Sequence, residues 1–267
     1  MQNTATKMPA KGETPTSPLE EAVRARDSDV QGMVRRALAE HRTLLAFQPV
    51  VRSRPPRSLI FHEGLIRVLD PTGRPIPAHQ FMGDIEETAL GRDIDCAALR
   101  LGFAHLRAHP NLRLSINVSA RSLGDGAWRQ TLEDGLRDSG DAARRLILEM
   151  SETSAMFLPE LVIRFMAEMQ PKGIAFALDD FGGGMIAFRY LKDFLFDLVK
   201  IDRHFVHQID RSPDNQVIAE ALITVAHQFD MVCVAEGIET TEEARILNAL
   251  GCDCLQGYHI GVPRMRI

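Results

Sequence analysis

Seven short apolar runs in this chain each lead into a residue that can bind a metal ion or a phosphate. Leu59-Ile60-Phe61-His62 leads into Glu63, Leu114-Ser115-Ile116 into Asn117, Leu146-Ile147-Leu148 into Glu149, and Ile174-Ala175-Phe176-Ala177-Leu178 into Asp179-Asp180. Leu198-Val199 leads into Lys200, Val232-Cys233-Val234-Ala235 into Glu236, and Cys254-Leu255 into Gln256. Runs of this length and composition read as buried strands. One charge at the end of such a strand can be an accident of the strand reaching water. Recurrence along most of the chain is different, because a charge beside a buried strand costs free energy unless something pairs with it. The pattern points to one site assembled from many strand ends.

The connections between the runs narrow the fold. Strands are expected at about 44–51, 58–67, 113–119, 145–151, 174–180, 197–202, 231–236 and 253–257, with helical sequence between most of them. The link from Arg52 to Arg57 is too short for a helical crossover, and parallel neighbours need a dozen or more connecting residues. The first two strands are therefore antiparallel. Eight strands in this order favour an α/β fold: a TIM-like (β/α)8 barrel with a reversed first strand, whose strand ends converge on one mouth. An open doubly wound sheet is the alternative. Residues 1–16 lack periodicity and read as a disordered tail. Ser17-Pro18-Leu19-Glu20 is a helix start, opening an N-terminal helical segment over 17–42 that can break near Asp27-Ser28-Asp29. The barrel domain is expected over 43–267.

Charge and composition exclude several classes. With 45% hydrophobic and 25% charged residues, the 267-residue chain can bury a sizeable core. A net charge of -5 argues against a nucleic-acid polymer as partner, which calls for a basic face. No stretch approaches the ~18 apolar residues of a membrane span, and no apolar leader is visible, so a cytoplasmic location is expected. Cys96, Cys233, Cys252 and Cys254 form no disulfide framework, and Cys252-x-Cys254 lacks a second pair at zinc spacing.

The residues at the strand ends are acids, an amide, a glutamine and one lysine. Hard oxygen ligands without His or thiolate favour Mg²⁺ or Mn²⁺ over zinc. Adjacent Asp179 and Asp180 could face different cations, and two ions about 4 Å apart can clamp a phosphodiester for in-line attack. Each acid taken alone reads more simply as a solvated strand end or helix cap. Their joint recurrence favours the site.

In their order along the chain these residues resemble the EAL-domain cyclic di-GMP phosphodiesterases, from about residue 30 to 263. The naming motif is Glu63-Gly64-Leu65-Ile66-Arg67, preceded by Phe47-Gln48-Pro49-Val50. Asn117-Val118-Ser119, Glu149-Met150-Ser151-Glu152, Asp179-Asp180-Phe181-Gly182, Lys200-Ile201-Asp202, Glu236-Gly237-Ile238-Glu239-Thr240 and Gln256-Gly257-Tyr258 follow. The resemblance implies a barrel with a reversed first strand and the opening of cyclic di-GMP to linear pGpG. It implies a first cation on Glu63, Asn117, Glu149 and Asp179, and a second on Asp179, Asp180 and Glu236. Lys200, Glu236 and Asp180 are the implied catalytic groups. Gln48, Glu63, Leu65, Arg67, Asp202 and Gln256 are the implied substrate contacts, with Arg67 on a phosphate, and Glu152 and Glu239 the loop anchors. Mg²⁺ or Mn²⁺ is the expected cofactor and Ca²⁺ an expected inhibitor. A homodimer and a separate regulatory protein are the expected partners.

Two departures from the family pattern stand out. Gly64 replaces the alanine of the naming motif, with a small loss of rigidity expected. After Asp-Asp-Phe-Gly the family continues Thr-Gly-Tyr-Ser-Ser-Leu, whereas this chain has Gly183-Gly184-Met185-Ile186-Ala187-Phe188. Loss of those hydroxyls makes a cyclic di-GMP receptor with little turnover the alternative to the enzyme. A Schiff-base enzyme using Lys200 is a third reading, disfavoured because surrounding acids raise an amine's pKa.

Overall fold

The computed structural model describes residues 18–184 and 188–267, with side chains of 18–28, 188 and 189 excepted. Helix α1 (Pro18–Ala39) precedes an antiparallel pair, β1 (Thr43–Arg52) and β2 (Leu59–Leu69). Then come β3 (Pro75–Pro77), α2 (Met82–Ile85), α3 (Ala89–Ala108), β4 (Leu114–Asn117), α4 (Gly126–Asp138), β5 (Leu146–Ser151), α5 (Glu152–Phe157) and α6 (Pro159–Met169). The chain continues with β6 (Ala175–Phe181), α7 (Phe188–Leu191), β7 (Leu198–Ile201), α8 (Arg203–Val206), α9 (Pro213–Gln228), β8 (Val232–Ala235), α10 (Thr241–Ala249) and β9 (Cys254–Leu255). Helix α1 runs through Asp27-Ser28-Asp29 without a break. The tail expected over 1–16, and Met185, Ile186 and Ala187, lie outside the described residues.

The sheet closes on itself. In the order β1-β2-β4-β5-β6-β7-β8-β9, the last strand pairs with the first, and β1 is antiparallel to both neighbours while the others run parallel. The expected barrel with one reversed strand is therefore the fold. The sequence reading missed β3, which pairs antiparallel with β2 through Val68↔Ile76 and extends it beyond the barrel wall. Its two prolines, Pro75 and Pro77, hid it, since proline is tolerated only at such edges.

Strand periodicity places the site. Val50, Phe61, Ile147, Ala177, Leu198, Val234 and Cys254 form one buried apolar cluster. Side chains two residues apart on a strand share a face. One such step towards the mouth along each strand reaches Gln48, Glu63, Glu149, Asp179, Lys200, Glu236 and Gln256. An apolar layer thus floors a polar layer inside one barrel, the stacking expected of inward-pointing residues. The alternate residues point outward. Leu148, Phe176, Leu178, Val199 and Cys233 belong to the larger core, with Phe165, Met166, Leu222 and Leu247 from the helices. Each fully buried Leu or Phe there stabilises by about 1.5–3 kcal/mol. Trp128 is part of this shell: it meets Phe165 edge-on at 5.7 Å, and Phe165 meets Phe176 at 5.8 Å.

Candidate active site

Lys200 stands at the centre of the mouth. Its side chain is fully buried, and its Nζ lies 3.1 Å from Glu63 Oε2 and 3.7 Å from Asp179 Oδ1. It also pairs directly with Glu149 and Glu236. One ammonium thus faces four carboxylates brought from β2, β5, β6 and the end of β8. Burial opposes the charge on Lys200, but Asp179, Glu149, Glu236 and Glu63 outweigh it and hold its pKa well above the usual value. A lysine held protonated in this way is no amine nucleophile, which argues against the Schiff-base reading.

A single ammonium does not balance the acids. Burial, and then Glu63, push the Glu149 carboxyl well above its usual range; burial, and then Asp179, do the same to Glu236. Glu63 differs. Burial raises it, but Lys200 and hydrogen bonds from Asn117, Gln256 and Lys200 win and leave it below the usual range. Asn117 Nδ2 donates to Glu63 Oε1 at 2.8 Å, and Gln256 Nε2 donates to Glu63 Oε2 at 2.6 Å. The same Gln256 nitrogen is 3.3 Å from Gln48 Oε1.

Two observations test whether a divalent cation fits. Ligand atoms of Glu63, Glu149 and Glu236 lie within 4.8 Å of one another. Glu149 Oε2 and Gln256 Oε1 are buried and have no hydrogen-bond partner among the described residues. Convergent carboxylates with an orphaned buried oxygen are the donor set of a hard cation. The grouping cuts across the two ligand sets implied by the family resemblance. Glu236, assigned there to the second cation, clusters with Glu63 and Glu149 through Lys200.

A cavity of about 1030 Å³ opens above this cluster. Of the residues singled out in the sequence, Gln48, Glu63, Leu65, Glu152, Asp179, Asp180, Asp202, Glu236, Glu239 and Gln256 line it. Lys200 and Glu149 lie beneath, and Asn117 joins through Glu63. Arg67 is not brought into the lining. Its guanidinium donates to Ile66 O at 2.9 Å, and its neighbours include the Glu63 carboxylate and the Tyr258 hydroxyl, so it stands at the rim.

The acids at the end of β6 lead into a loop that lies against Glu152 and Asp202. Asp180 takes a left-handed backbone with φ of 56°, which few non-glycine residues adopt. Its carboxyl is raised by burial, then by Asp179 and Asp202. Gly182 N donates to Glu152 Oε2 at 3.1 Å, linking the residue after β6 to the start of α5. Asp202 caps α8, its Oδ1 accepting from His204 N at 2.8 Å and facing His204 Nδ1 at 2.7 Å.

Two buried acids escaped the sequence reading. Asp95, on α3, accepts from Ser119 N at 3.0 Å and Ser122 Oγ at 2.6 Å, pinning the loop after Asn117. Burial raises it to about 7. An acid within the apolar stretch Ile94 to Leu99 was the available signal. Glu243 completes the capping box of α10. Its spacing from Thr240 is that of a capping box, but spacing says nothing of the further bond it accepts from Gln208. The carboxylate of Glu239, expected as an anchor, is instead exposed and 3.7 Å from His207 Nδ1.

The EAL domain family model matches residues 31–263 of this chain. The chain belongs to the EAL domain family. Among relatives of this EAL domain is the cyclic di-GMP phosphodiesterase NbdA of Pseudomonas aeruginosa, 29% identical over 235 residues, which cover 86% of this chain and 30% of NbdA. The chain spans about a third of the length of the curated relatives it matches. Among solved structures, the MucR phosphodiesterase in complex with cyclic di-GMP has a TM-score of 0.78 at 28% identity. The match covers 88% of this chain and 97% of that one. The FimX EAL domain of Pseudomonas aeruginosa, bound to cyclic di-GMP, has a TM-score of 0.81 at 25% identity over 89% of this chain and 97% of that one. At the level of the family, these relatives support a hydrolase. Among the described residues, no helix is long and apolar enough to cross a membrane.

Proposed function

We propose that this EAL domain is a phosphodiesterase that hydrolyses cyclic di-GMP to linear pGpG with Mg²⁺ or Mn²⁺. The observation that carries the reading is the single buried ammonium of Lys200 facing Glu63, Glu149, Asp179 and Glu236, beneath a cavity large enough for a dinucleotide. Glu63, Asn117, Glu149, Asp179, Asp180 and Glu236 would hold the cations. When bound, divalent ions supply Lewis-acid stabilisation of the phosphoryl oxygens and lower the pKa of water.

The residues of the chain do the rest. Gln256 and Asn117 fix Glu63 by hydrogen bonds to both of its oxygens. Lys200, kept protonated, orients the attacking water and offsets negative charge that builds on the phosphate. Water oxygen bonds to phosphorus and the water gives up one proton, one ester bond to a ribose 3′-oxygen breaks, and the leaving oxygen takes up one proton, so that one water is consumed. Gln48, Leu65, Asp202 and Gln256 contact the dinucleotide in the cavity, and Arg67 reaches a phosphate from the rim. Ca²⁺ is expected to occupy the acids without supporting turnover. The reading includes a cytoplasmic homodimer under a separate regulatory protein.

A second reading, a cyclic di-GMP receptor with little turnover, is favoured by the altered sequence over 183–188. Gly183 leaves the segment beside Asp180 without the hydroxyl usual there. Purified protein with cyclic di-GMP and either metal separates the two. Formation of pGpG supports the enzyme. Binding of cyclic di-GMP in EDTA or Ca²⁺, with no pGpG at high protein concentration, supports the receptor.

A further inference from the structure

Glu243 is nearly fully buried, at 1% exposure, yet it carries a carboxylate outside the acid cluster. Its Oε2 accepts from Glu239 N at 2.8 Å and Thr240 N at 3.0 Å, and its Oε1 accepts from Gln208 N at 2.8 Å. These three donors come from two different walls of the cavity. Glu239 and Thr240 belong to the loop between β8 and α10, which also carries Glu236 and Gly237. Gln208 follows α8, which carries the lining residues Arg203 and His204. Gln208 has a left-handed φ of 53°, a conformation whose amide needs a fixed partner to persist.

The two walls also touch directly. Gly237 has φ of 73°, and a Cβ built there would stand 2.9 Å from Arg203 Cβ. His207 Nδ1 is 3.7 Å from Glu239 Oε2. On its other side the loop is tethered by backbone bonds, Ile238 N donating to Gln256 O and His259 N to Ile238 O, and by the Glu236–Lys200 pair. Glu243 therefore ties the Glu236 loop to the α8 wall through three backbone N–H groups, beside the longer His207–Glu239 contact.

We propose that Glu243 is a positioning residue for Glu236, setting the outer wall of the cavity and with it the affinity for the cation that Glu236 holds. The proposal rests on the reading that Glu236 is a metal ligand. A carboxylate suits the task because both oxygens accept. A glutamine has one accepting oxygen and turns an amide donor towards at least one of the three N–H groups. It still serves at N3 of a capping box, so α10 keeps its start.

The test compares wild type with Glu243→Gln, using Mn²⁺ as the probe and the free-ion spin-resonance signal as the readout, with melting and amide exchange in parallel. Wild type is expected to take up Mn²⁺. In Glu243→Gln the weakest-bound Mn²⁺ is expected to dissociate about tenfold more readily, the usual effect of removing a partner outside the ligand shell. The Gln208 amide is expected to lose exchange protection while helical circular dichroism is unchanged. Glu236→Gln is expected to lose the same ion. Identical Mn²⁺ titrations of wild type and Glu243→Gln would overturn the proposal while leaving the metal reading intact. No Mn²⁺ uptake by wild type would overturn both.

Discussion

Gly183 sits directly against Asp202: a Cβ built on Gly183 would stand 2.1 Å from Asp202 Oδ2. The backbone at Gly183 does not require glycine, since its φ is outside the left-handed region. What a side chain there would meet is the capping carboxylate. Restoring the family-like loop with Gly183→Thr, Met185→Tyr, Ile186→Ser and Ala187→Ser is expected from the sequence to raise turnover. The structure adds a condition: Asp202 must turn away first.

Gly183→Thr alone is therefore expected to destabilise the protein, by about 1–3 kcal/mol for overpacking. Combined with Asp202→Ala, most of that loss should vanish, because residues in contact do not behave additively. Urea unfolding of the two single variants and the double variant measures the coupling. Additive effects would contradict the contact.

Gly64 follows the same logic on the outer side of β2. The site of the missing methyl is 2.8 Å from Ile116 Cδ1, 3.2 Å from Leu114 Cδ1 and 3.3 Å from Leu45 Cδ1. The expected loss of rigidity thus misses the main point: neighbouring side chains fill the space. Gly64→Ala is expected to cost about 1–3 kcal/mol. Ile116→Val in the same chain should recover part of it, as thermal melting would reveal.

Removing the central ammonium should destabilise the fold unless a divalent ion replaces it. Lys200→Met leaves Glu63, Glu149, Asp179 and Glu236 facing one another. Breaking a buried pair in this way costs about 3–5 kcal/mol. The melting temperature in EDTA should fall, and Mn²⁺ should restore more of it in Lys200→Met than it adds to wild type. Equal Mn²⁺ shifts would count against the acids as a cation site.

Asp95 gives the stability a pH dependence. Its folded pKa of about 7 exceeds the 3.8 of an unburied aspartate, so the folded state holds the extra proton. The stability it contributes is complete below the unfolded pKa and is lost as pH rises towards 7. A shift of this size corresponds to a loss on the order of 4 kcal/mol. Asp95→Asn should therefore flatten the pH dependence between about 4 and 7 relative to wild type. Parallel curves would show that Asp95 does not titrate there.

The barrel was legible because its evidence is local. Apolar runs mark the strands, and the short link from Arg52 to Arg57 forces β1 to reverse. The polar layer was legible because each strand places it one step of two residues beyond an apolar position. Glu243 and Asp95 were less visible, since an acid's role depends on which distant N–H groups the fold delivers to it. Gly183 and Gly64 read as lost groups in sequence, but a missing side chain says nothing of the neighbour that fills its place. Arg67 shares a strand face with Glu63 and Leu65, yet only the geometry of the mouth decides whether a long side chain reaches inward or stays at the rim.

The most direct test is to incubate the purified chain with cyclic di-GMP and Mn²⁺ or Mg²⁺ and to separate the nucleotides over time. The account predicts linear pGpG with either metal, none in EDTA, and none from Lys200→Met or Glu63→Gln. Intact cyclic di-GMP at high enzyme concentration with both metals would contradict it.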